Sequence, residues 1–277
     1  MKIKSFTRRF PIVSYFLLAY LISWGGSLAF AGPKLLRGEV LQSADGLNMA
    51  LAMIAGPSLS GLAMTYLNDG RQGLRDLWSR MLRWRAGLQW YAAALLIFPV
   101  LILGLLWVLY FFVSPDFAPS FVSFGILAGL MAGFFEEIGW MGFAFPKMKT
   151  KLGIWRATIY LALLHGFWHI LVSYLGDFGN YGGYWLPRFI AMWIVAMAAM
   201  RILLVWIYSN TGSVLLTQLT HASSTGFLVA LGPGAISPAQ ETLWFVIYAV
   251  VLMVPAAVVI ARYGKSFMRK PQPAAVV

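Results

Sequence analysis

The stretch FFEEIGWMGFAFPKM, residues 134–148, places two adjacent carboxylates inside a run of apolar residues. The whole chain of 277 residues is 60% hydrophobic and only 11% charged, and its mean hydropathy is +0.76. Soluble domains are nearer one quarter charged. The composition therefore predicts a polytopic membrane protein and excludes a soluble enzyme, a disordered chain and a disulfide-stapled secreted domain. Because the chain has no Cys, thiol nucleophiles and Cys-ligated zinc sites are excluded as well.

Apolar segments of about 20 residues, the length needed to cross a bilayer, recur along the chain. Eight spans are predicted, at 11–31, 47–67, 89–113, 120–144, 156–175, 188–208, 213–231 and 241–261. The connections between them are too short for a soluble domain. We therefore expect one transmembrane domain over residues 1–277, in the all-α class, built as a polytopic membrane helix bundle.

The basic residues are distributed unevenly between the two ends of these spans. With the N-terminus in the cytoplasm, 18 of the 21 Lys and Arg residues lie on the cytoplasmic side, counting Arg201 near the inner end of its span. Only Lys34, Arg37 and Arg188 lie outside. Cytoplasmic loops of membrane proteins carry such an excess of positive charge. The pattern predicts an integral protein of a bacterial inner membrane with both termini in the cytoplasm, and it explains the net charge of +12 without a nucleic-acid partner.

Two segments at the membrane surface need separate interpretations. The span 11–31 follows a basic arm and carries Ala29-Phe30-Ala31, which resembles a signal-peptidase site. Its apolar region is long for a signal peptide, which favours a retained anchor. The segment 70–88 alternates Arg with Leu and Trp at near-helical spacing. This basic segment is predicted to lie at the cytoplasmic interface, with membrane lipids as its partners.

The ionisable residues within the spans are the most informative feature of the sequence. Every His and one acidic pair, Glu136 and Glu137, lie inside predicted spans, whereas the other acids lie in loops or at span ends. Buried ionisable residues are costly in a membrane and indicate function. Adjacent helical residues diverge by about 100°. We therefore expect one glutamate to face the chemistry and the other to brace a neighbouring helix.

The histidines have helical spacing and similar depth. His165 and His169 share one helix face, and so do His221 and Thr225, because each pair is separated by four residues. At 1.5 Å per residue, His221 and the glutamates lie about 12 Å and His169 about 20 Å from the inner ends of their spans. These residues are predicted to converge on one chamber in the cytoplasmic half of the bilayer.

Four kinds of chemistry are compatible with Glu and His in a membrane. The first is activation of water for hydrolysis. The second is a zinc site with His165, His169 and Glu136 as ligands, since HxxxH is a helical spacing for two ligands. The third is a proton relay in a transporter. The fourth is structural, with the side chains holding the bundle together by hydrogen bonds.

Three motifs, one with the glutamate pair followed by two with histidines, resemble those of the CPBP family of intramembrane proteases. This family includes the type II CAAX prenyl proteases and the bacterial Abi proteins. The first family motif reads EExxxR, often with W-R-G-F and a following Pro, and the second reads FxxxH. The matching positions are Glu136, Glu137, Trp140, Gly142, Phe143, Pro146, the pair His165–His169 and the pair His221–Thr225. The resemblance covers about residues 70–230.

The resemblance implies eight transmembrane helices and a metal-free, glutamate-dependent endopeptidase without a cofactor. Its substrate would be a membrane-associated peptide or protein, cleaved near the cytoplasmic leaflet. By position, Glu136 would be the water-activating base and His169 its assistant. His221 and Thr225 would form the oxyanion hole, and Glu137 would be the supporting acid.

The sequence departs from the family pattern at three positions. Met141 replaces the motif Arg, which would pair with Glu137 one turn away, so that Arg201 or Arg156 would have to supply the cation. His165 replaces an aromatic residue and keeps the zinc alternative open. Thr225 replaces a common Asn with a shorter donor. The alternative to a protease is therefore a non-proteolytic scaffold, immunity or transport protein, or a metal-dependent variant.

Overall fold

The computed structural model describes residues 2–268, with the side chains of these residues except at 2–5, 43, 177 and 178. In chain order the α-helices are α1 (Lys2–Arg9), α2 (Pro11–Leu36), α3 (Ser43–Met81), α4 (Leu88–Phe112), α5 (Phe124–Gly139), α6 (Phe145–Trp168), α7 (Ile170–Tyr181), α8 (Trp185–Phe189), α9 (Met197–Thr211), α10 (Val214–Leu231) and α11 (Pro238–Tyr263). Two π-helical segments, Trp140–Ala144 and Ile190–Ala196, join α5 to α6 and α8 to α9. The all-α class is confirmed. Two residues counted for the cytoplasmic side, Arg269 and Lys270, lie outside the described residues.

Within the described residues, seven helices are long and apolar enough to cross a membrane. One of them, Phe124–Gly176, has 53 residues and would extend about 80 Å, more than twice the thickness of a bilayer core. Gly153, with a φ of 76°, breaks it into two segments. These segments correspond to the predicted spans 120–144 and 156–175, so the helices account for the expected bundle of about eight.

The helix that carries the glutamates extends beyond its predicted end at 144, as far as Leu152. Pro146 has no N–H to donate, and its ring crowds the carbonyl four residues earlier, which belongs to Gly142. The π-helical segment Trp140–Ala144 shifts the hydrogen bonding at this point. The Gly142 carbonyl accepts instead from an Arg80 guanidinium N–H at 2.8 Å. The chain therefore passes the proline without a break.

The basic segment 70–88 begins at a second break. Gly70 has a φ of 66°, and the helix continues beyond it to Met81 with Leu77 buried and Trp78 59% exposed. The helix is therefore amphipathic here, and its position at the membrane interface stays a prediction. Contact of this segment with lipid remains a prediction.

The two ends of the bundle are defined by alternating connections. One end, called here the basic end, holds residues 82–87, Gly153 and residues 212–213. The other, called the open end, holds residues 37–42, 113–123 and 232–237. At the open end, the chain before α5 pairs with the chain after α10, where the Val122 N–H donates to the Ala230 carbonyl at 2.9 Å.

Helices α5 and α10 pack with their backbones in close contact. Gly125, Gly129 and Gly133 form a stripe with a spacing of four on α5, and a Cβ on any of them would overlap the backbone of α10. Small residues allow such approach between membrane helices. The side-chain amide of Gln218 on α10 also donates to the Phe134 carbonyl at 2.8 Å. This contact brings the glutamates of α5 against the histidine of α10.

We expect Gly129→Ala to lower the free energy of unfolding by about 1–3 kcal/mol, because the added methyl group overpacks the contact with Ala222 and Gly226. Thermal unfolding of the purified protein in detergent measures the effect. Gly104→Ala is the control, since the added Cβ on α4 would meet no atom within 4 Å apart from the adjacent backbone of its own helix. Equal stability of the two variants would contradict the packing argument.

Candidate active site

Four segments contribute polar side chains to one buried cluster. Glu136 and Glu137 lie in the last turn of α5, next to the π-helical segment. The other members come from the end of α6, the middle of α9 and the first half of α10. The cluster comprises Glu136, Glu137, His165, His169, Arg201 and His221.

Glu137 is held by a cation and an imidazole. Its two carboxylate oxygens accept from Arg201 Nη1 at 3.1 and 2.9 Å, and Oε1 also lies 2.8 Å from His221 Nδ1. The side chains of Glu137 and Arg201 are both completely buried. A buried carboxylate needs such a partner, because removing a lone charge from water costs several kcal/mol.

Arg201 therefore supplies the cation that Met141 lacks. The motif Arg would reach Glu137 from one turn along the same helix, whereas Arg201 reaches it from α9. Arg156, the other candidate, is exposed beyond the break at Gly153. The placement of Arg201 at the inner end of its span was wrong, because this residue pairs inside the bundle. That correction leaves 17 predicted cytoplasmic charges, of which the 15 within the described residues lie at the basic end.

The hydrogen bonds determine the tautomer of His165. Arg201 Nη2 lies 2.6 Å from His165 Nδ1, and a guanidinium can only donate. Nδ1 must therefore accept, so that the ring proton resides on Nε2 of the neutral imidazole. Nε2 lies 3.0 Å from Glu136 Oε2 and donates to it. The extra histidine thus connects Arg201 to Glu136, which the sequence alone did not indicate.

Glu136 has one occupied oxygen and one that remains available. Oε2 accepts from His165 and also from Trp140 Nε1 at 3.3 Å. No side chain in the described part of the chain donates to Oε1. The residue is only 4% exposed, and it lines the cavity described below. A carboxylate oriented by two donors on one oxygen presents its other oxygen to a water molecule.

His169 is positioned by an aromatic residue that sequence analysis missed. Its ring stacks on Trp193 with a centroid distance of 3.5 Å and an interplanar angle of 19°. Trp193 lies in the π-helical segment Ile190–Ala196, and π-bulges often occur at functional sites. The one available signal was the abundance of Trp, which does not distinguish this residue from tryptophans that pack in the core or face lipid.

A cavity of about 1390 Å³ adjoins the cluster. Four of the five residues predicted to be catalytic line it: Glu136, His169, His221 and Thr225. Glu137 lies behind them and touches His221 rather than the cavity. The adjacent glutamates thus point in different directions, one to the cavity and one to α9 and α10.

The alternative zinc site has suitable spacing but unsuitable donors. One potential ligand atom from each of Glu136, His165 and His169 lies within 4.8 Å of the others. A metal ligand needs a free nitrogen lone pair. In His165, however, Nε2 carries the proton and Nδ1 accepts from Arg201. The buried guanidinium would also repel a cation, so this arrangement does not fit a His165-ligated metal.

The cavity extends from the cluster towards the open end of the bundle. Its wall includes the connections at residues 39–42 and 232–236 and the first turns of α5 and α11. On the opposite side, Trp140, Phe143 and Phe145 are at most 2% exposed and separate the cluster from the basic end. The family resemblance implies cleavage near the cytoplasmic leaflet, whereas no residue from the connections at the basic end lines the cavity.

Comparisons with known proteins confirm the family resemblance. Residues 118–227 match the family described as type II CAAX prenyl endopeptidase, Rce1-like. The chain is also similar to CAAX prenyl protease 2 of Methanococcus maripaludis, with 26% identity over 159 residues. The match covers 57% of this chain and 54% of the relative, so that the chain spans about half the length of this curated relative. Both matches bear the description of a CAAX prenyl protease or endopeptidase.

We expect Arg201→Met to lower the free energy of unfolding by about 3–5 kcal/mol, because it leaves the Glu137 carboxylate buried without its cation. Adding Met141→Arg returns a cation one turn from Glu137, and part of the loss should be recovered. Thermal unfolding in detergent measures both changes. Arg262→Met, at an exposed position, is the control and should change stability by less than about 0.5 kcal/mol. A double variant no more stable than Arg201→Met would contradict the conclusion that Arg201 takes the place of the motif Arg.

Proposed function

We propose that the protein is an intramembrane endopeptidase in which Glu136 activates water. The observation that carries the proposal is the geometry of this carboxylate. Two donors hold its Oε2, while its Oε1 remains available at the wall of a large cavity. A general base must lie within hydrogen-bond reach of the proton that it removes.

In the proposed reaction, a water molecule at Oε1 gives a proton to Glu136 as its oxygen attacks the carbonyl carbon of a peptide bond. The carbonyl π bond opens and its oxygen becomes an oxyanion. When the oxyanion collapses, the C–N bond breaks and the leaving nitrogen takes the proton from Glu136. His169, held against Trp193 at the cavity wall, positions the water.

We assign the oxyanion site to His221 and Thr225. The Nδ1 of His221 is held by Glu137, so the opposite ring nitrogen, Nε2, is the one available to the cavity. For Nε2 to donate to the oxyanion while Nδ1 donates to the Glu137 carboxylate, the ring must carry a proton on each nitrogen. Thr225 lies one turn further along α10 and adds a hydroxyl donor. Removal of one oxyanion donor from a hydrolase costs about 10²–10³ in rate.

The proposed substrate is a membrane-associated peptide or protein, in keeping with a mostly apolar cavity wall. The relative is named a CAAX prenyl protease. This name alone does not indicate that the present chain cleaves a prenylated substrate. Membrane lipids are proposed as partners of the basic segment, and no nucleic acid is required. We propose a bacterial inner membrane as the location and a reaction without a cofactor.

Glu136→Gln should lower the rate of cleavage by about 10²–10⁴, the usual contribution of a general base. The amide is nearly isosteric, so expression and folding should be preserved. Profiling of protein N-termini in membranes from cells that express either form measures the effect and reveals the substrate. Asp76→Asn, an exposed acid remote from the cavity, is the control. Identical N-terminal profiles at equal expression would refute the protease and favour a scaffold role.

Metal chelation is expected to leave Glu136-dependent cleavage unchanged, because both nitrogens of His165 are engaged by protein groups. The assay uses purified protein in detergent, a substrate identified by the profiling, and EDTA or 1,10-phenanthroline. Loss of activity on chelation, with recovery on addition of zinc, would overturn the metal-free mechanism.

A further inference from the structure

We infer that the catalytic site receives its substrate from the non-cytoplasmic face of the membrane. That the entering molecule is a substrate depends on the proposed function, whereas the direction of access depends only on the cavity and the charges. The substrate would be a membrane-anchored polypeptide whose scissile bond lies in an apolar segment near that face.

All parts of the cavity wall lie between the cluster and the open end. On α5 the wall comprises residues from Phe124 to Glu136, and on α10 residues from His221 to Val229. On α11 it comprises only residues from Glu241 to Leu252, and none from the last eleven residues of the helix. No residue from the connections at the basic end contributes. The cavity is therefore a blind chamber with the cluster at its inner limit.

The basic end is closed by packed side chains. Trp140 and Phe143 of the π-helical segment are buried against Tyr15 of α2, with ring centroids 5.7 and 5.4 Å from that of Tyr15. Leu77 of the basic segment is 1% exposed and lies against Gly142. Peptide or water would have to disrupt this core to reach Glu136 from the basic end.

Charge identifies which face each end occupies. The described part of the basic end carries 15 Lys and Arg residues, including five in the basic segment and four between Lys147 and Arg156. The open end carries three, and each pairs with an acid. The pairs are Lys34–Asp45 at 2.8 Å, Arg37–Glu39 at 2.5 Å and Arg188–Glu241 at 3.0 Å. The positive-inside rule then places the basic end in the cytoplasm and the chamber on the other side.

The charged and apolar side chains at the entrance indicate which kind of substrate segment would fit. The open end has five acids by sequence, Glu39, Asp45, Asp116, Asp177 and Glu241, against its three bases. Beyond this rim the wall is formed mainly by Met, Leu, Ala and aromatic side chains. An apolar segment with neutral or basic flanking residues matches both parts.

The absence of Cys makes the direction of access directly measurable. Single-Cys variants Met131→Cys, in the chamber wall, and Ala235→Cys, at its entrance, report on the open end. Ser79→Cys, exposed on the basic segment, reports on the other end. Each variant is treated with a charged, membrane-impermeant methanethiosulfonate in spheroplasts and in inverted membrane vesicles. Unreacted thiols are then counted after denaturation.

We expect Met131→Cys and Ala235→Cys to react in spheroplasts and Ser79→Cys to react only in inverted vesicles. Reaction of the chamber variants only in inverted vesicles would overturn the inference, and so would a chamber Cys that fails to react from either side. Combining each variant with Glu136→Gln should leave the labelling unchanged. Because the readout does not need catalysis, a wrong direction of access and an absent protease activity give different results.

Discussion

The buried pair of Arg201 and Glu137 is the interaction on which the cluster depends. Neither side chain reaches solvent, and each also contacts an imidazole, Arg201 that of His165 and Glu137 that of His221. Such a pair adds little net stability but is costly to break, because the remaining charge is stranded. It orients both rings, one towards Glu136 and one towards the cavity. The ion pair that neutralises the buried charges therefore also helps to set the position of Glu136, the proposed base.

Irregular helix geometry surrounds this pair and gives the cluster its shape. The π-helical segment Trp140–Ala144 accommodates Pro146 and places Trp140 so that its indole N–H donates to Glu136. The segment Ile190–Ala196 places Trp193 against His169. The glycines of α5 then allow α10 to approach closely enough for His221 to reach Glu137. Local departures from regular helix thus coincide with the residues to which we assign chemistry.

Much of the fold could be predicted from one-dimensional patterns. Apolar length marked the spans, and the cost of burying charge singled out Glu136, Glu137 and the three histidines. Helix ends were less predictable, since the prediction stopped at 144 whereas the helix continues to Leu152. Its continuation depends on Arg80 satisfying the Gly142 carbonyl, a contact between residues 62 positions apart. The helical pattern of a single segment does not contain that information.

The sequence by itself determined the membrane class, the all-α bundle and five of the six residues that form the cluster, because each follows from composition or from spacing along one helix. Only the tertiary structure decided that Arg201 replaces the missing motif cation, that His165 donates to Glu136, and that the chamber leads to the open end. Each of these depends on the approach of helices distant in sequence. The free energy of packing and charge pairing determines which helices approach each other. The periodicity of a single segment does not contain this information.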